Sequence, residues 1–145
     1  MMGRRLKVKP LASQVPPSYA HEGDAGLDLR TTEACTLAPG ERHLFPTGLA
    51  MELPSGCVGA VCPRSGLAIR DGVTVLNAPG IVDPTYRGEV KVDLVNHGTE
   101  PVAIAAGDRI AQLVVVPFVP CQVEVVDRLD DTDRGEAGHG STGMA

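Results

Sequence analysis

The chain has 145 residues, of which 43% are hydrophobic and 21% are charged, and its formal net charge is −5. This length suits a single domain, and the composition is that of an ordinary globular protein that can bury a core. The negative charge argues against binding to nucleic acid through bulk charge, because a phosphate backbone is held by clustered Lys and Arg.

The apolar runs and the cysteines indicate where the protein resides. No apolar run approaches the roughly 20 residues that cross a bilayer. No apolar stretch of the length found in signal peptides follows the basic N-terminal residues. The four cysteines form no Cys-x-x-Cys pair and have no histidine at zinc-site spacing, so we expect free, mostly buried thiols. These features predict a cytoplasmic protein without a membrane contact.

Short apolar runs bounded by Gly and Pro follow one another along the chain. In one of them the side chains of Val90, Val92 and Leu94 fall on the same face of a strand. The close spacing of the turns favours an antiparallel sandwich or barrel over βαβ units. We predict strands at Leu6–Val8, Gly26–Leu29, Gly48–Leu53, Val58–Cys62, Val73–Leu76, Val90–Val95, Val102–Ala105, Ile110–Val116 and Val123–Val126.

Helical periodicity is nearly absent. The single candidate helix is Ser65–Arg70, with Ser65 as its cap and Asp71-Gly72 as its end. From residue 128 to residue 145 the apolar pattern stops, so this segment cannot bury enough surface to fold alone. Composition leaves two interpretations of the segment, a frayed terminus or an arm that orders over a ligand.

The sequence Pro63-Arg64-Ser65-Gly66 is a candidate anion-binding turn. A strand leads into a turn and a short helix, whose first N–H groups lie beside a guanidinium and a hydroxyl. Arg64 can bind two phosphate oxygens at once. The alternative is an ordinary capped turn with a solvated arginine.

The segment Asn77–Glu89 joins two predicted strands through a loop rich in Pro and Gly, which predicts a hairpin that can line a pocket. Asn77 offers the donor and the acceptor that binding to a pyrimidine edge requires. Asp83 lies between two turns, where it can act as a general base, and Tyr86 is one of two tyrosines. The alternative is a structural hairpin with a solvated aspartate and a packed tyrosine.

Two further polar residues interrupt predicted strands. Asp28 lies between two leucines and shares one strand face with Asp24 and Gly26. Gln112 interrupts the apolar run that follows the turn at Gly107. Exposure on a strand face explains either residue as well as a ligand contact does.

The C-terminal segment carries a Gly-rich stretch from Arg134 to Gly143. Such a stretch can hold phosphates through its backbone N–H groups. It is not a Walker loop, because no Gly-Lys-Ser/Thr follows.

In this order and spacing, these stretches resemble the five motifs of the trimeric dUTPase family, over about residues 24 to 143 of the chain. The resemblance implies an all-β, jelly-roll-like barrel or sandwich over residues 1–127, with one short helix. It also implies a homotrimer in which a flexible C-terminal arm, residues 128–145, closes a neighbouring active site. The matching stretches are Ala25–Asp28, Arg64–Gly66, Asn77–Gly88, Gly107–Leu113 and Arg134–Gly143.

The activity that the resemblance implies is dUTP diphosphatase. Water activated by Asp83 attacks the α-phosphorus of dUTP, and dUMP and pyrophosphate are released. Mg²⁺ is the cofactor, held mainly by the substrate phosphates. The reaction keeps uracil out of DNA and supplies dUMP for dTMP synthesis. The implied partners are dUTP and two further copies of the chain, with no nucleic acid and no membrane.

The resemblance assigns roles to individual residues of this sequence. Base and sugar are bound by the hairpin, through Asn77, Gly80, Ile81, Val82 and Asp83. Tyr86 packs beneath the deoxyribose and excludes a 2′-hydroxyl, and Lys91 supports the site near it. Phosphate oxygens are bound by Arg64, Ser65, Gly66 and Gln112, and Asp28 approaches the magnesium through a water. The arm contributes Arg134, His139, Gly140, Ser141 and Thr142.

The arm departs from the family pattern at two positions. His139 stands where an aromatic residue is usual, and Ala137 stands where glycine is usual. Two alternative functions are a dCTP deaminase, whose fold is similar, and a non-catalytic β-sandwich that binds nucleotides. Ammonia release from dCTP would indicate the first, and nucleotide binding without pyrophosphate release would indicate the second.

Overall fold

The computed structural model describes residues 4–138, which form eleven strands and one short helix. The strands are β1 (Lys7–Pro10), β2 (Ser18–Tyr19), β3 (Gly26–Arg30), β4 (Cys35–Leu37), β5 (Arg42–Glu52), β6 (Cys57–Cys62), β7 (Val73–Val75), β8 (Gly80–Val82), β9 (Glu89–Asn96), β10 (Val102–Ile104) and β11 (Arg109–Pro117). The helix, α1, spans Ser65–Asp71 between β6 and β7.

The strands form two main sheets and one short pair. The first sheet has the order β1-β5-β9-β7, the second has the order β2-β3-β11-β6-β8, and β4 pairs with β10. Every pairing is antiparallel. This arrangement confirms the predicted all-β, jelly-roll-like fold with one short helix.

The core lies between the two sheets. Val92 and Leu94 of β9 are buried on the predicted face, and they share one cluster with Leu29 of β3 and Leu113 of β11. Burying each of these side chains contributes about 1.5–3 kcal/mol. The shared core fixes the positions of the polar residues that β3 and β11 present on their outer faces.

The strand predictions were correct for the central strands and wrong in two ways. β2, β4, β8 and the first half of β5 were not predicted, because Pro, Gly and polar residues interrupt their apolar pattern. Val123–Val126 was predicted as a strand but has no strand partner among the described residues. The side chains of Val123 and Val125 are 87% and 94% exposed.

The helix ends as predicted but begins differently. Arg64, not Ser65, is the N-cap residue, and no side chain caps the first turn. Gly72 ends the helix at φ 70°, in the left-handed region. A Cβ at Gly72 would lie 2.7 Å from the backbone nitrogen of Gly98, so the position requires glycine for space as well as for conformation.

The four cysteines are free, as predicted, but they are not mostly buried. Cys57 is buried, Cys35 and Cys62 are partly exposed, and Cys121 is exposed. Within residues 4–138, no helix is long and apolar enough to cross a membrane.

Candidate active site

A carboxylate lies between two guanidinium groups on the outer face of the second sheet. Oδ1 of Asp28 is 3.2 Å from Nε of Arg64, and Oδ2 of Asp28 is 3.1 Å from Nη1 of Arg109. The Asp28 side chain is only 14% exposed. Because each carboxylate oxygen takes one guanidinium, Asp28 fixes both arginines while leaving a net positive charge in this region.

Arg64 also contacts the strand that carries Arg109. Its Nη1 donates a hydrogen bond to the backbone oxygen of Arg109 at 3.3 Å. Ser65 and Gly66 follow at the start of α1, and nothing lies within 4 Å of where a Gly66 Cβ would stand. The first turn of the helix is therefore open to a ligand beside the Arg64 guanidinium.

Gln112 completes this group from the neighbouring strand. It pairs in register with Asp28 on β3 and with Cys62 on β6. Its Nε2 donates to the backbone oxygen of Pro63 at 3.0 Å, and a Cβ at Gly26 would lie 2.1 Å from its Oε1. Glycine at position 26 therefore makes room for the Gln112 side chain.

We call Asp28, Arg64, Ser65, Gly66, Arg109 and Gln112 the arginine cluster. Most of its members line a cavity of about 490 Å³, together with Asp24 and Gly26. The structure thus brings together the first, second and fourth sequence stretches, which lie up to 84 residues apart from Asp28 to Gln112 (112 − 28). Gly26 and Asp28 alternate on β3 as predicted, but Asp24 precedes the strand, and its carboxylate accepts a hydrogen bond from the N–H of His21.

A second group forms at the loop around β8. The Asn77 side chain lies against Gly80, whose Cβ would stand 3.3 Å from the Asn77 Nδ2. The peptide bond between Ala78 and Pro79 is cis. The loop therefore holds the Asn77 amide close to the backbone of the strand that follows it.

The turn after β8 holds Asp83 and Tyr86. The Tyr86 N–H donates to the backbone oxygen of Asp83 at 3.0 Å, and the Tyr86 hydroxyl donates to the backbone oxygen of Glu89 at 2.9 Å. Asp83 is exposed, and the Tyr86 side chain is 47% exposed. A ligand can therefore reach the carboxylate of Asp83 and pack against the ring of Tyr86.

We call Asn77, Gly80, Ile81, Val82, Asp83, Tyr86 and Lys91 the hairpin cluster. Five of these residues line a cavity of about 320 Å³, namely Ile81, Val82, Asp83, Tyr86 and Lys91. Leu44 of β5 lines the same cavity and is 53% exposed. The cavity thus combines an apolar wall with a carboxylate and an ammonium group.

The ends of the two clusters that carry Asp28 and Asp83 lie far apart within one chain, although Gly80 pairs with Val61, three residues before Arg64. β3 and β8 are separated by three strand spacings, roughly 14 Å. Asp28 is level with Cys62 on β6, whereas the register of Val82 with Gly59 places Asp83 near the level of Val58, roughly 13 Å along the strand. The backbone positions of Asp28 and Asp83 are therefore on the order of 20 Å apart.

The described part of the arm does not join either cluster. Nε of Arg134 donates to the backbone oxygen of Ala137 at 2.8 Å, which closes a local turn. Arg134 lines neither of the two cavities. The predicted contacts of His139, Gly140, Ser141 and Thr142 lie outside the described residues.

The residues present fit a magnesium ion that is held mainly by phosphates. Among residues 4–138, no three His, Cys, Asp or Glu side chains form a metal-binding group. Mg²⁺ keeps several waters and is commonly bound by one or two carboxylates together with substrate phosphates. Asp24 and Asp28 line the cavity of the arginine cluster, and Asp28 is already bonded to two guanidiniums.

Sequence reasoning missed Arg109 of the arginine cluster and Leu44, which lines the cavity of the hairpin cluster. Arg109 lies within the stretch Gly107–Leu113 but was not assigned a role. Leu44 was missed because β5 was predicted to begin only at Gly48. The neighbouring polar interruption at Gln112 was the available signal for Arg109, since both residues lie on β11.

The comparisons with known proteins agree on one family. The family model described as dUTPase matches residues 13–143. The deoxyuridine 5′-triphosphate nucleotidohydrolase of Anaeromyxobacter sp. is 56% identical over 95% of this chain and 97% of its own. That of Corynebacterium glutamicum is 51% identical over 95% of this chain and 94% of its own.

A solved structure agrees with these sequences. The Staphylococcus bacteriophage 80alpha dUTPase, a G164S mutant with dUpNHpp, superposes with a TM-score of 0.89 and 27% identity, covering 96% of this chain and 98% of its own. The shared fold and the high sequence identity over nearly the full length exclude a chance resemblance. The chain therefore belongs to the dUTPase family, the enzymes that hydrolyse deoxyuridine 5′-triphosphate.

Proposed function

We propose that dUTP is converted to dUMP and pyrophosphate at a site that the arginine cluster of one copy forms with the hairpin cluster of another. The observation that carries this proposal is the separation of about 20 Å between Asp28 and Asp83. A general base and the phosphate-binding groups must lie within hydrogen-bond reach of one α-phosphate. A separation of this size argues against one α-phosphate contacting both Asp28 and Asp83 of the same chain, and it supports a site that two copies share.

The arginine cluster binds the triphosphate in this proposal. Arg64 presents a guanidinium that Asp28 holds in place, and its neighbours offer the open N–H groups of residues 65 and 66. Gln112 adds an amide on the adjoining strand. Preorganised donors of this kind stabilise the charge that develops on phosphate oxygens, because they do not need to reorient during the reaction.

The hairpin cluster binds the nucleoside. Asn77 and the backbone of Gly80, Ile81 and Val82 bind the uracil edge, because an amide offers both a donor and an acceptor. Cytosine inverts this pattern and would leave buried polar groups unpaired. A thymine methyl group would overlap with the loop that carries the cis peptide bond.

Tyr86 distinguishes deoxyribose from ribose. Its ring forms one side of the cavity that also contains Ile81 and Asp83. Packing of the ring beneath the sugar leaves no room for a 2′-hydroxyl. Lys91 lines the same cavity, and its Nζ lies 3.8 Å from a carboxylate oxygen of Glu89. Lys91 thereby supports the wall that Tyr86 forms.

Asp83 is the general base. It accepts a proton from a water molecule, whose oxygen forms a bond to the α-phosphorus. The bond from the α-phosphorus to the oxygen that bridges to the β-phosphorus breaks, and pyrophosphate leaves with that oxygen. A general base contributes on the order of 10²–10⁴-fold to such a step.

Magnesium belongs to this proposal as a cofactor that arrives with the substrate. When bound, it neutralises charge on the phosphate oxygens and orients them. Asp28 is the acid that would approach it through a water molecule. Asp28 already forms ion pairs with two guanidiniums, which supports contact with the magnesium through water rather than direct ligation.

The proposed assembly is a homotrimer in which residues 128–145 of each chain close a neighbouring site. Support comes from the segment that follows β11, whose apolar side chains are exposed in the single chain. Val119 is 82% exposed and Leu129 is 82% exposed, and the three valines between them are exposed as well. Such a stretch commonly packs against another chain. Arg134 and the Gly-rich stretch beyond it then reach the phosphates.

We place this reaction in the cytoplasm, because the four cysteines form no disulfide.

The test of the proposed reaction is pyrophosphate release with Mg²⁺ from dUTP, dCTP, dTTP and UTP, for the wild type and for Asp83→Asn. We expect release from dUTP alone, and a loss of at least about 100-fold in kcat for the variant. Full activity of a folded Asp83→Asn variant would remove Asp83 from the mechanism.

A further inference from the structure

Tyr86 folds back over the backbone of Gly88. A Cβ built at Gly88 would lie 2.4 Å from the Tyr86 hydroxyl oxygen, 2.6 Å from Cζ and 2.9 Å from Cε2. Real Cβ atoms do not approach other atoms this closely, so the ring position observed here exists only with glycine at position 88. The Gly88 backbone itself is not in the left-handed region.

The ring is held on its other contacts as well. The Tyr86 hydroxyl donates to the backbone oxygen of Glu89, and the backbone N–H of Tyr86 donates to the backbone oxygen of Asp83. One carboxylate oxygen of Glu89 accepts a hydrogen bond from the N–H of Gly48 at 2.9 Å, which ties the loop to β5. Gly88 therefore forms one side of the surface against which the ring packs. The opposite side is open, and Tyr86 is 47% exposed.

We infer that Gly88 is a positioning residue for sugar selectivity, because it sets the depth at which the Tyr86 ring lies. This inference rests on the proposed role of Tyr86 in excluding the 2′-hydroxyl. A methyl group at position 88 displaces the ring from this position, so that the ring no longer packs beneath the sugar at the depth that excludes a 2′-hydroxyl. The backbone can keep its conformation, because the atoms that must move belong to the end of a side chain.

The inferred role separates Gly88 from glycines that serve the fold. Gly72, for example, meets backbone atoms of Gly98 at 2.7 Å and 2.9 Å and has φ 70°. A substitution at Gly72 strains the backbone, whereas a substitution at Gly88 displaces one ring. The Gly88→Ala variant should therefore fold normally and change only what the ring controls.

The test compares kcat/KM for dUTP and for UTP in four proteins: wild type, Gly88→Ala, Tyr86→Ala and the double variant. We expect Gly88→Ala to lower the dUTP/UTP ratio by about tenfold or more, since excluding one hydroxyl is worth on the order of 100-fold. In the Tyr86→Ala background the same substitution should leave the ratio unchanged, because no ring remains to be displaced.

Three outcomes overturn the inference. The first is an unchanged ratio in a folded Gly88→Ala protein. The second is an equal effect of Gly88→Ala with and without the Tyr86 ring, which would assign glycine a role in the backbone alone. The third is an unchanged ratio in Tyr86→Ala; this result would first remove the proposed role of Tyr86, and the dUTP activity of the wild type would still stand.

A measurement without substrate gives a second readout. The chain has no tryptophan and two tyrosines, so Tyr19→Phe leaves Tyr86 as the only tyrosine. In that background we expect Gly88→Ala to change the tyrosine fluorescence, because the hydroxyl loses its hydrogen bond to the Glu89 carbonyl. An identical emission spectrum and intensity would show that the ring has not moved, and would contradict the inference.

Discussion

The pair of arginines on Asp28 links two strands and the start of the helix into one unit. Asp28 comes from β3, Arg109 from the start of β11, and Arg64 from the N-cap position of α1. Charge-assisted hydrogen bonds of this kind are about twice as strong as neutral ones. The unit therefore fixes the direction of the Arg64 guanidinium, although Arg64 belongs to a short helix that buries none of its side chains.

This arrangement predicts the effect of removing Arg109. In Arg109→Gln the Asp28 carboxylate loses one of its two partners, and Arg64 becomes free to reorient. We expect kcat/KM for dUTP to fall by roughly 10- to 100-fold, the size of effect that follows from misplacing a binding group by about 1 Å. Steady-state kinetics with dUTP measures this change.

The controls for Arg109 are a conservative variant and a remote one. Arg109→Lys keeps a positive charge near Asp28 and should recover part of the activity. Arg42→Gln removes an exposed arginine on β5 and should behave like the wild type. Wild-type kcat/KM in Arg109→Gln would show that Asp28 alone is sufficient to hold Arg64.

The ring of Tyr86, rather than its hydroxyl, should carry sugar selectivity. Tyr86→Ala removes the ring and should admit UTP, whereas Tyr86→Phe retains the ring and should retain most of the preference for dUTP. The measurement is the ratio of kcat/KM values for dUTP and UTP. A preference that is equal in the wild type and in Tyr86→Ala would exclude Tyr86 from this role.

At the scale of elements, the sequence predicted the central strands well, because the local alternation of apolar residues agreed there with burial against the core. In β9 the alternation of Val90, Val92 and Leu94 coincides with a buried face. The short strand Gly80–Val82 was not predicted, because its pairing with β6 depends on a distant partner. Val123–Val126 has the composition of a strand but no strand partner within the described chain. The strand predicted there from composition alone was therefore wrong.

The candidate site was predictable in its residue types but not in its geometry. The motifs named Asp28, Arg64 and Gln112, which the structure brings together. No pattern in the sequence indicated that Asp83 would lie about 20 Å from Asp28. That distance follows from the strand order of the second sheet, which is set by long-range pairings.

The arm should serve catalysis rather than folding. Residues 118–138 contain no strand or helix and are almost entirely exposed. A chain truncated before Arg134 should therefore lose kcat by at least about tenfold, because it loses groups that close over the phosphates. Its melting temperature should stay within a few degrees of the wild type. Thermal denaturation and dUTP hydrolysis of the truncated protein measure both quantities.

Two results would contradict this account of the arm. A collapse of the melting temperature on truncation would assign the segment to the fold. Unchanged kcat would show that residues 134–145 do not reach a site.

A milder test is His139→Phe, which restores the aromatic residue usual in the family. Stronger closure of the arm should appear as a lower KM for dUTP.

At the scale of the whole molecule, the separation of the two clusters is the feature on which the proposed function depends. Each cluster has its own cavity, of about 490 Å³ and about 320 Å³. The first is lined by Arg64, and the second is lined by Asp83 and Tyr86. Neither cavity alone offers both the proposed general base and the proposed phosphate-binding groups.

The most direct test of this account mixes two inactive variants. Asp83→Asn damages the hairpin cluster alone, and Arg64→Ala damages the arginine cluster alone. When the two chains are co-expressed and co-purified by different tags, a site is intact if its hairpin comes from the Arg64→Ala chain and its arginine cluster comes from the Asp83→Asn chain. Random assortment makes about a quarter of the sites intact (½ × ½).

We therefore predict that dUTP hydrolysis returns in the mixed protein, while each variant alone remains inactive. If both clusters acted within one chain, every site would carry one of the two defects. A mixed assembly that contains both chains and releases no pyrophosphate from dUTP would contradict the shared site.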